Sequence, residues 1–379
     1  MKRIKRYYPE LDWLRVSLIL AVFLHHVFMP FNGDGWHIMN NESSKLLDDI
    51  MVYFEQVRLQ TLFFIAGAAS FILLSKVSAI EFIANKFHRL FIPFMVGMVV
   101  VVPPQTYFEH VEQYDSIFSA YGQLIFNFET NHLWFIEFLL VFMLLGIPFY
   151  WGMCCSIGRR FSQAIIQLAE SRNGLFVIVI FLVLIRGLAQ FMTSSDGHKV
   201  ENLSISLFFL FFFLAGMLFI GSQKIWQAII LHRRANLYWL AFSSCAFYAY
   251  YYSPDLSPYL SLTVRWQLWW LVCSLVSWSA VLTLIGYAGC YCASTPTWLK
   301  NMNTLIYPFY IIHQTVIVIL GFYIVQYSAG ILIKSISLLF LSLIICSVVC
   351  FFVIGPFNVT RYLFGLKRID KSTLMGAAR

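Results

Sequence analysis

About ten stretches long and apolar enough to cross a bilayer follow one another along this chain: residues 13–31, 59–75, 90–104, 133–151, 174–192, 203–221, 236–252, 266–290, 304–325 and 331–355. A helix needs roughly 20 apolar residues to traverse hydrocarbon, within a usable range of about 17 to 25. The sequence therefore predicts an all-α fold, a polytopic membrane helical bundle of about ten transmembrane helices. Composition agrees, with 60% hydrophobic and 12% charged residues, where soluble domains carry roughly half and a quarter. No internal repeat is evident and the loops are too short for a soluble domain, so residues 1–379 read as one integral membrane domain.

The net charge of +8 invites an anionic partner, but its distribution speaks of topology. No basic stripe interleaved with exposed aromatics appears, so nucleic acid is not an expected partner. Short cytoplasmic loops carry excess Lys and Arg. Nineteen of the 26 basic residues fall at 1–6, 76–90, 152–173, 222–235, Lys300 and beyond 355, all on one side of a ten-span chain. The opposite loop from Gln105 to His132 has none and carries Glu109, Glu112, Asp115 and Glu129. Both termini are expected in the cytoplasm of a bacterial inner membrane. The first apolar segment follows Lys2, Arg3, Lys5 and Arg6 like a signal peptide, yet ends in Phe31-Asn32-Gly33-Asp34 without a small-residue cleavage site, so it should remain as a helix. The eight cysteines form no C-x-x-C pair and read as small buried hydrophobes, with no metal expected.

Ionisable groups inside a span are costly and mark function by default. In the first span, eleven steps of about 100° separate Arg15 from His26 and bring them within about 20° on one face. Asp12 falls within about 40° of His26, while His25 points about 80° away from Arg15. A rise of about 1.5 Å per residue puts His26 roughly 16 Å deeper than Arg15. His313, in Tyr310-Ile311-Ile312-His313-Gln314, sits at comparable depth in the ninth span. Histidine suits proton transfer, because its unperturbed pKa of about 6.5 lies near neutrality. The plainer reading is that buried histidines only tie helices together. A bis-histidine haem site is a further alternative, one that needs no aligned arginine.

Lys86 and Arg89, three residues apart at the inner mouth of the third span, are candidates to clamp phosphates, against ordinary positive-inside anchoring. On the far side, Gly33-Asp34-Gly35-Trp36-His37 has the make-up of a carbohydrate-contacting loop, although interfacial tryptophans often serve only as an aromatic belt. His132, Trp134 and Glu137 open the fourth span from that side and are either substrate contacts or structural partners. Arg186, in the fifth span, reads as snorkelling or paired.

These residues fall into an order that resembles the acyltransferase-3 family of integral membrane O-acyltransferases, especially the branch containing the periplasmic glucan biosynthesis protein C. The matching elements are Asp12-Trp13-Leu14-Arg15 with ten residues before His26, Phe63-Phe64-Ile65-Ala66-Gly67, the basic pair leading into Leu90-Phe91-Ile92-Pro93, His132-Leu133-Trp134-Phe135, and Tyr310-Ile311-Ile312-His313. The resemblance implies transfer of an acetyl or succinyl group from cytoplasmic acyl-CoA, as donor substrate, to a hydroxyl of an extracytoplasmic glycan or related acceptor. It implies that His26 is the essential histidine with Arg15 its partner and that Lys86 and Arg89 lie near the coenzyme A phosphates. From the residues themselves, Asp12 and His313 are expected to share the catalytic group, Tyr310 to contact the donor, and Trp36, His37, His132, Trp134 and Glu137 to contact the acceptor. Departures are Lys86 in place of an arginine, Ala66 in place of a serine, and Thr315 in place of a proline. A proton-coupled transporter of a small solute is the competing expectation, in which the same histidines relay protons. Such transporters often show two repeated halves.

Overall fold

The computed structural model describes residues 7–126, 129–190 and 202–369. Every regular element among them is helical and none is a strand. The chain is an all-α polytopic bundle. Eight of the ten expected spans fall on helices long and apolar enough to cross a membrane. Those eight are α1 (Pro9–Asn32), α2 (Lys45–Phe54) running on into α3 (Arg58–Leu74), α4 (Ala79–Glu109), α5 (Ile117–Phe126) leading to α6 (Trp134–Cys154), and then four more named below in chain order. The amphipathic α7 (Ser156–Glu170) precedes the expected fifth span, which is only the short apolar helix α8 (Gly174–Ala189). After α9 (Leu203–Ile220) and the short α10 (Gln223–Leu231), the expected seventh span is α11 (Arg233–Tyr251). It has 19 residues but carries Arg233, Arg234, Asn236 and four tyrosines, which lower its apolarity. α12 (Leu262–Tyr291), α13 (Thr297–Ile324) and α14 (Ile331–Ile354) complete the eight, and α15 (Asn358–Leu363) is a short surface helix. The basic residues Lys2, Arg3, Lys5, Arg6, Lys199, Lys371 and Arg379, and the last two residues of the expected fifth span, lie outside the described residues.

Each π-helical departure from α geometry within the described helices has a proline just beyond or beside it, although Pro30, Pro148 and Pro308 sit in α-helices that stay regular. A proline in a helix interior has no N–H to give the carbonyl four residues back and crowds that carbonyl. Three π-helical turns, Phe87–Phe91, Gly97–Val101 and Val349–Ile354, each contain a carbonyl four residues before a proline: Arg89 before Pro93 and Val99 before Pro103 within a helix, and Phe352 before Pro356, which follows the helix end. The Val99 carbonyl is taken up instead by the Tyr121 hydroxyl, which donates at 2.7 Å. Wider turns of this kind let a long helix keep its course past a proline.

Contacts divide the chain into two compact units: residues 1–18, 53–82 and 138–296, and residues 19–52, 83–137 and 297–379. In the first, α3 and α9 approach closely enough that only glycine fits at two positions. A Cβ at Gly67 would collide with the Phe213 carbonyl, and one at Gly216 with the carbonyl of Phe64. Small residues that let backbones touch are the usual means of helix association in lipid. Phe63, Phe138, Phe142 and Phe209 pack around this contact, with ring centroids 4.8 to 6.3 Å apart. The buried Glu10 carboxylate accepts from the Trp226 indole at 3.0 Å, and the buried Trp278 indole donates to the Leu175 carbonyl at 2.9 Å. In the second unit, α13 is the central helix, buried almost continuously from Ile306 to Val318. The ammonium of the buried Lys334 on α14 donates to Asn40 Oδ1 at 2.8 Å and to the Val325 carbonyl at 2.9 Å, which ties the loop after α1 to α14.

Candidate active site

The second unit gathers three histidines. His26 Nδ1 lies 2.8 Å from His313 Nε2, with the rings 5.0 Å apart, and His132 stands edge-on to His313 at 5.3 Å. His313 Nδ1 in turn lies 2.5 Å from the Tyr310 carbonyl oxygen. A carbonyl only accepts, so His313 carries its proton on Nδ1, and in the neutral ring Nε2 must accept. His26 must then donate from Nδ1, which leaves its Nε2 as the basic atom. A chain of hydrogen bonds therefore fixes the tautomer of His26 through His313. Phe23 and Phe309 flank His313, their ring centroids each 6.3 Å from its own, and keep the ring from turning.

His132 is fixed by similar means. It enters through Asn131, whose φ of 43° lies in the left-handed region that asparagine tolerates. Its Nε2 donates to the Ile311 carbonyl at 2.8 Å, and the Tyr310 hydroxyl donates to its backbone carbonyl at 2.5 Å. His132 Nδ1 is consequently an acceptor, buried and without a hydrogen-bond partner among the described residues.

The loop after α1 folds back over this group. Gly33 and Gly35 take φ of 91° and 55°, and backbone amides of Asn40 and Ser44 cap the end of α1 at the carbonyls of Pro30 and Phe31, 2.9 and 2.8 Å away. That turn lays the Trp36 ring over His26, nearly parallel at 11°, with centroids 6.1 Å apart. His37 beside it donates from Nδ1 to Glu109 Oε2 at 2.7 Å, and its Nε2 accepts from the side-chain amides of Gln105 and Gln314 at 3.2 and 3.0 Å. Gln314 directly follows His313, so one anchor holds both the loop and the histidine helix. Gln105, Glu109 and Gln314 were not singled out by sequence reasoning. The adjacency of Gln314 to His313 was the one signal that pointed there. At Thr315, where the family resemblance expects proline, the hydroxyl donates to the Val101 carbonyl at 2.8 Å.

Other candidate residues lie as follows. Arg15, in the first unit, pairs with Asp12 at 3.5 Å; Asp12 also accepts from the Tyr7 hydroxyl, which sits 2.7 Å from Thr295 Oγ1. Desolvation, then the hydrogen bond to Asp12, holds the Tyr7 hydroxyl above its ordinary pKa, so it remains a donor. The Trp13 indole donates to the Ser294 carbonyl at 2.8 Å. Lys86 is half-buried and Arg89 exposed, and Arg89 falls within the first π-helical turn. Trp134 and Glu137 are half-buried in the opening turns of α6. His25 is buried, its ring 5.6 Å from that of His26. Arg186 does not snorkel: it is 5% exposed, held between the rings of Phe208 and Trp270.

Residues 8–355 match the profile of the acyltransferase-3 family, described as an acyltransferase domain. The match covers most of the chain, and the protein belongs to that family: it is a membrane acyltransferase. No curated protein and no solved structure matches it.

Proposed function

We propose that this protein is an O-acyltransferase that moves an acetyl or succinyl group from cytoplasmic acyl-CoA to a hydroxyl of an extracytoplasmic glycan or related acceptor, with His26 as its base. The observation that carries the reading is the hydrogen-bond chain from His26 through His313 to the Tyr310 carbonyl, which leaves His26 Nε2 basic. In the reaction, Nε2 takes the proton of the acceptor hydroxyl as its oxygen bonds to the thioester carbonyl carbon. The tetrahedral intermediate collapses with loss of the coenzyme A thiolate, which recovers that proton from His26. Positive charge on His26 strengthens its hydrogen bond to His313 at the moment it is needed. His313 and Tyr310 act by positioning, since both nitrogens of one and the hydroxyl of the other are engaged within the protein.

His132 Nδ1, an acceptor with no donor among the described residues, suits a second hydroxyl of the acceptor. Trp36 offers a flat aromatic face next to the base, a surface that sugars favour. Lys86 and Arg89 are proposed contacts for the donor phosphates. For Arg15, the same role rests on its register in the first span. The branch containing the glucan biosynthesis protein C remains the reading favoured by the sequence motifs. The proposed setting is a bacterial inner membrane with both termini in the cytoplasm, which follows from the basic loops. Purified protein in proteoliposomes, given acetyl-CoA or succinyl-CoA and an envelope glycan fraction, is expected to release coenzyme A and acylate the glycan. His26→Ala should do neither while inserting normally; turnover by that variant would end the proposal.

A further inference from the structure

In the first unit, α7 joins the end of the spanning helix α6 to the start of α8 and is neither long nor apolar enough to cross a membrane itself. Its 15 residues extend about 22 Å at about 1.5 Å per residue. Glycine fixes it at both ends. A Cβ at Gly158 would collide with the Gly152 carbonyl in the last turn of α6, and one at Gly174, which opens α8, with the Leu168 carbonyl of α7. At about 100° per residue, α7 has three faces. Ile165, Ile166 and Ala169 share the side it buries. Ile157, Phe161, Ala164 and Leu168 lie within about 60° of one another, and the three large ones are 79%, 54% and 39% exposed. Ser156, Arg159, Arg160, Gln163, Gln167 and Glu170 occupy the remaining side. An exposed apolar stripe beside a charged face is the pattern of a helix that lies in the membrane interface. The stripe continues one on α6, where Leu144, Leu145, Pro148 and Trp151 are all exposed, and a tryptophan at the end of a span marks the headgroup level.

The polar face carries positive charge without its complement. Ser156, Arg159, Arg160, Gln163, Ala164 and Gln167 line an open cavity of about 450 Å³. Arg159 Nη1 donates to the Cys154 carbonyl at 2.8 Å, which seats that guanidinium at the cavity by one nitrogen. Neither arginine has a carboxylate at ion-pair distance among the described residues. Lys224 on α10, which packs against α7, and Arg172 just after α7 are exposed and add to the charge. Glu170 is on the same face but ten residues beyond Arg160, about 15 Å along the axis. Elsewhere in this unit Glu10, Asp12, Glu55 and Asp255 are engaged with Trp226, Arg15, Arg58 and Arg265, and Glu81 sits in the first turn of α4, where the helix dipole favours it. Asp196 and Glu201 lie outside the described residues, in the loop beyond α8, which the topology puts on the opposite side of the bilayer. On the side of α7, the segments outside them are 1–6 and 370–379, where Lys2, Arg3, Lys5, Arg6, Lys371 and Arg379 stand against Asp370 alone.

We propose that α7 is an interfacial helix that binds anionic phospholipid, its Arg159 and Arg160 holding the phosphodiester of the headgroup while Ile157, Phe161 and Leu168 rest among the acyl chains. Guanidinium groups suit a phosphodiester because they meet its oxygens with several fixed N–H donors. A lipid fits better than a soluble phosphate because the charged and apolar faces stand side by side on one helix, and only an amphiphile meets both. The leaflet is the inner one in the topology read from the basic loops. The site does not depend on the acyl-transfer reading: all its residues lie in the first unit and none belongs to the histidine group.

The test is thermal stability of the full chain, purified in dodecyl maltoside and stripped of lipid, titrated with phosphatidylglycerol, phosphatidylcholine or sodium phosphate. Phosphatidylglycerol should stabilise wild type saturably, and the other two should not. Arg159→Gln combined with Arg160→Gln should raise the half-saturating phosphatidylglycerol concentration about thirtyfold, since each basic residue near anionic headgroups contributes about fivefold. Arg159→Lys combined with Arg160→Lys keeps the charge and should stay within about fivefold of wild type, which separates charge from packing and guards against a folding defect in the glutamine variant. Phe161→Ser leaves both arginines in place and should weaken binding several-fold through the apolar stripe. Sodium chloride at about 0.5 M should weaken binding by wild type more than by the glutamine double variant, because it screens the charges that only wild type retains. Lys300→Gln removes an exposed lysine of the second unit and should leave the titration unchanged. Equal stabilisation by phosphatidylcholine, stabilisation by sodium phosphate that the double variant loses, or identical phosphatidylglycerol titrations in wild type and the glutamine double variant would each overturn the proposal.

Discussion

Replacing His313 by leucine tests the hydrogen-bond chain where it matters most. His313 is 1% exposed and joins the Tyr310 carbonyl at 2.5 Å to His26 Nδ1 at 2.8 Å. Leucine fills most of the same volume but neither donates nor accepts. The His26 Nδ1 proton then loses an acceptor, and a hydrogen bond of this kind contributes about 1 kcal/mol net, or about 1.5–3 kcal/mol once His26 is charged. Each 1.4 kcal/mol is about tenfold in rate, so the turnover number should fall about ten- to hundredfold, with little change in the donor KM. His313→Gln keeps one donor and one acceptor and should retain activity within about tenfold of wild type. His26→Ala should cost about a hundred- to ten-thousandfold, the usual worth of a general base. Because the two residues act as one unit, His26→Ala combined with His313→Leu should be no worse than His26→Ala alone. Coenzyme A release in proteoliposomes, read with a thiol reagent, measures all four variants. Wild-type turnover in His313→Leu, or losses that multiply in the double variant, would refute the reasoning.

Four further outcomes follow from the same geometry. Trp36→Ala removes the ring lying over His26 and should raise the acceptor KM several-fold more than it lowers the turnover number, in acylation assays with varied glycan. Gly216→Val drives a side chain into the Phe64 carbonyl and should abolish the folded, monodisperse protein in fluorescence-detected size-exclusion chromatography. Tyr121→Phe leaves the Val99 carbonyl without its hydroxyl donor, a cost of about 1 kcal/mol that should lower the melting temperature by about 2 °C. Green fluorescent protein fused to the C-terminus should fluoresce and alkaline phosphatase at the same place should be inactive; the reverse pattern would contradict the topology read from the basic loops.

Hydropathy alone was enough to read the fold class, because a run of twenty apolar residues has few alternatives in lipid. It located all ten helices, yet it did not separate the eight long apolar ones from α8 and α11, since averaging over a window hides both a short helix and scattered tyrosines. Helical periodicity singled out His26 over His25 for its alignment with Arg15, and His26 is the ring that stacks on His313 and Trp36 in the structure. At Lys86 and Arg89 nothing in the sequence signalled the π-helical turn Phe87–Phe91 that holds Arg89, although Pro93, four residues beyond it, was visible. The His37 anchor was half legible. Its histidine lies in a turn-rich loop, but its partners Gln105, Glu109 and Gln314 come from two other helices, and only tertiary packing brings them together. Arg186 was misjudged for the same reason: burial between Phe208 and Trp270 depends on neighbours that its own helix does not reveal.

The most direct test of the account is mass spectrometry of envelope glycans from cells that lack this protein and are complemented with either wild type or His26→Ala at equal membrane abundance. Acyl-bearing glycan masses should return with wild type and stay absent with the variant. Identical acylation from both would contradict the role given to His26.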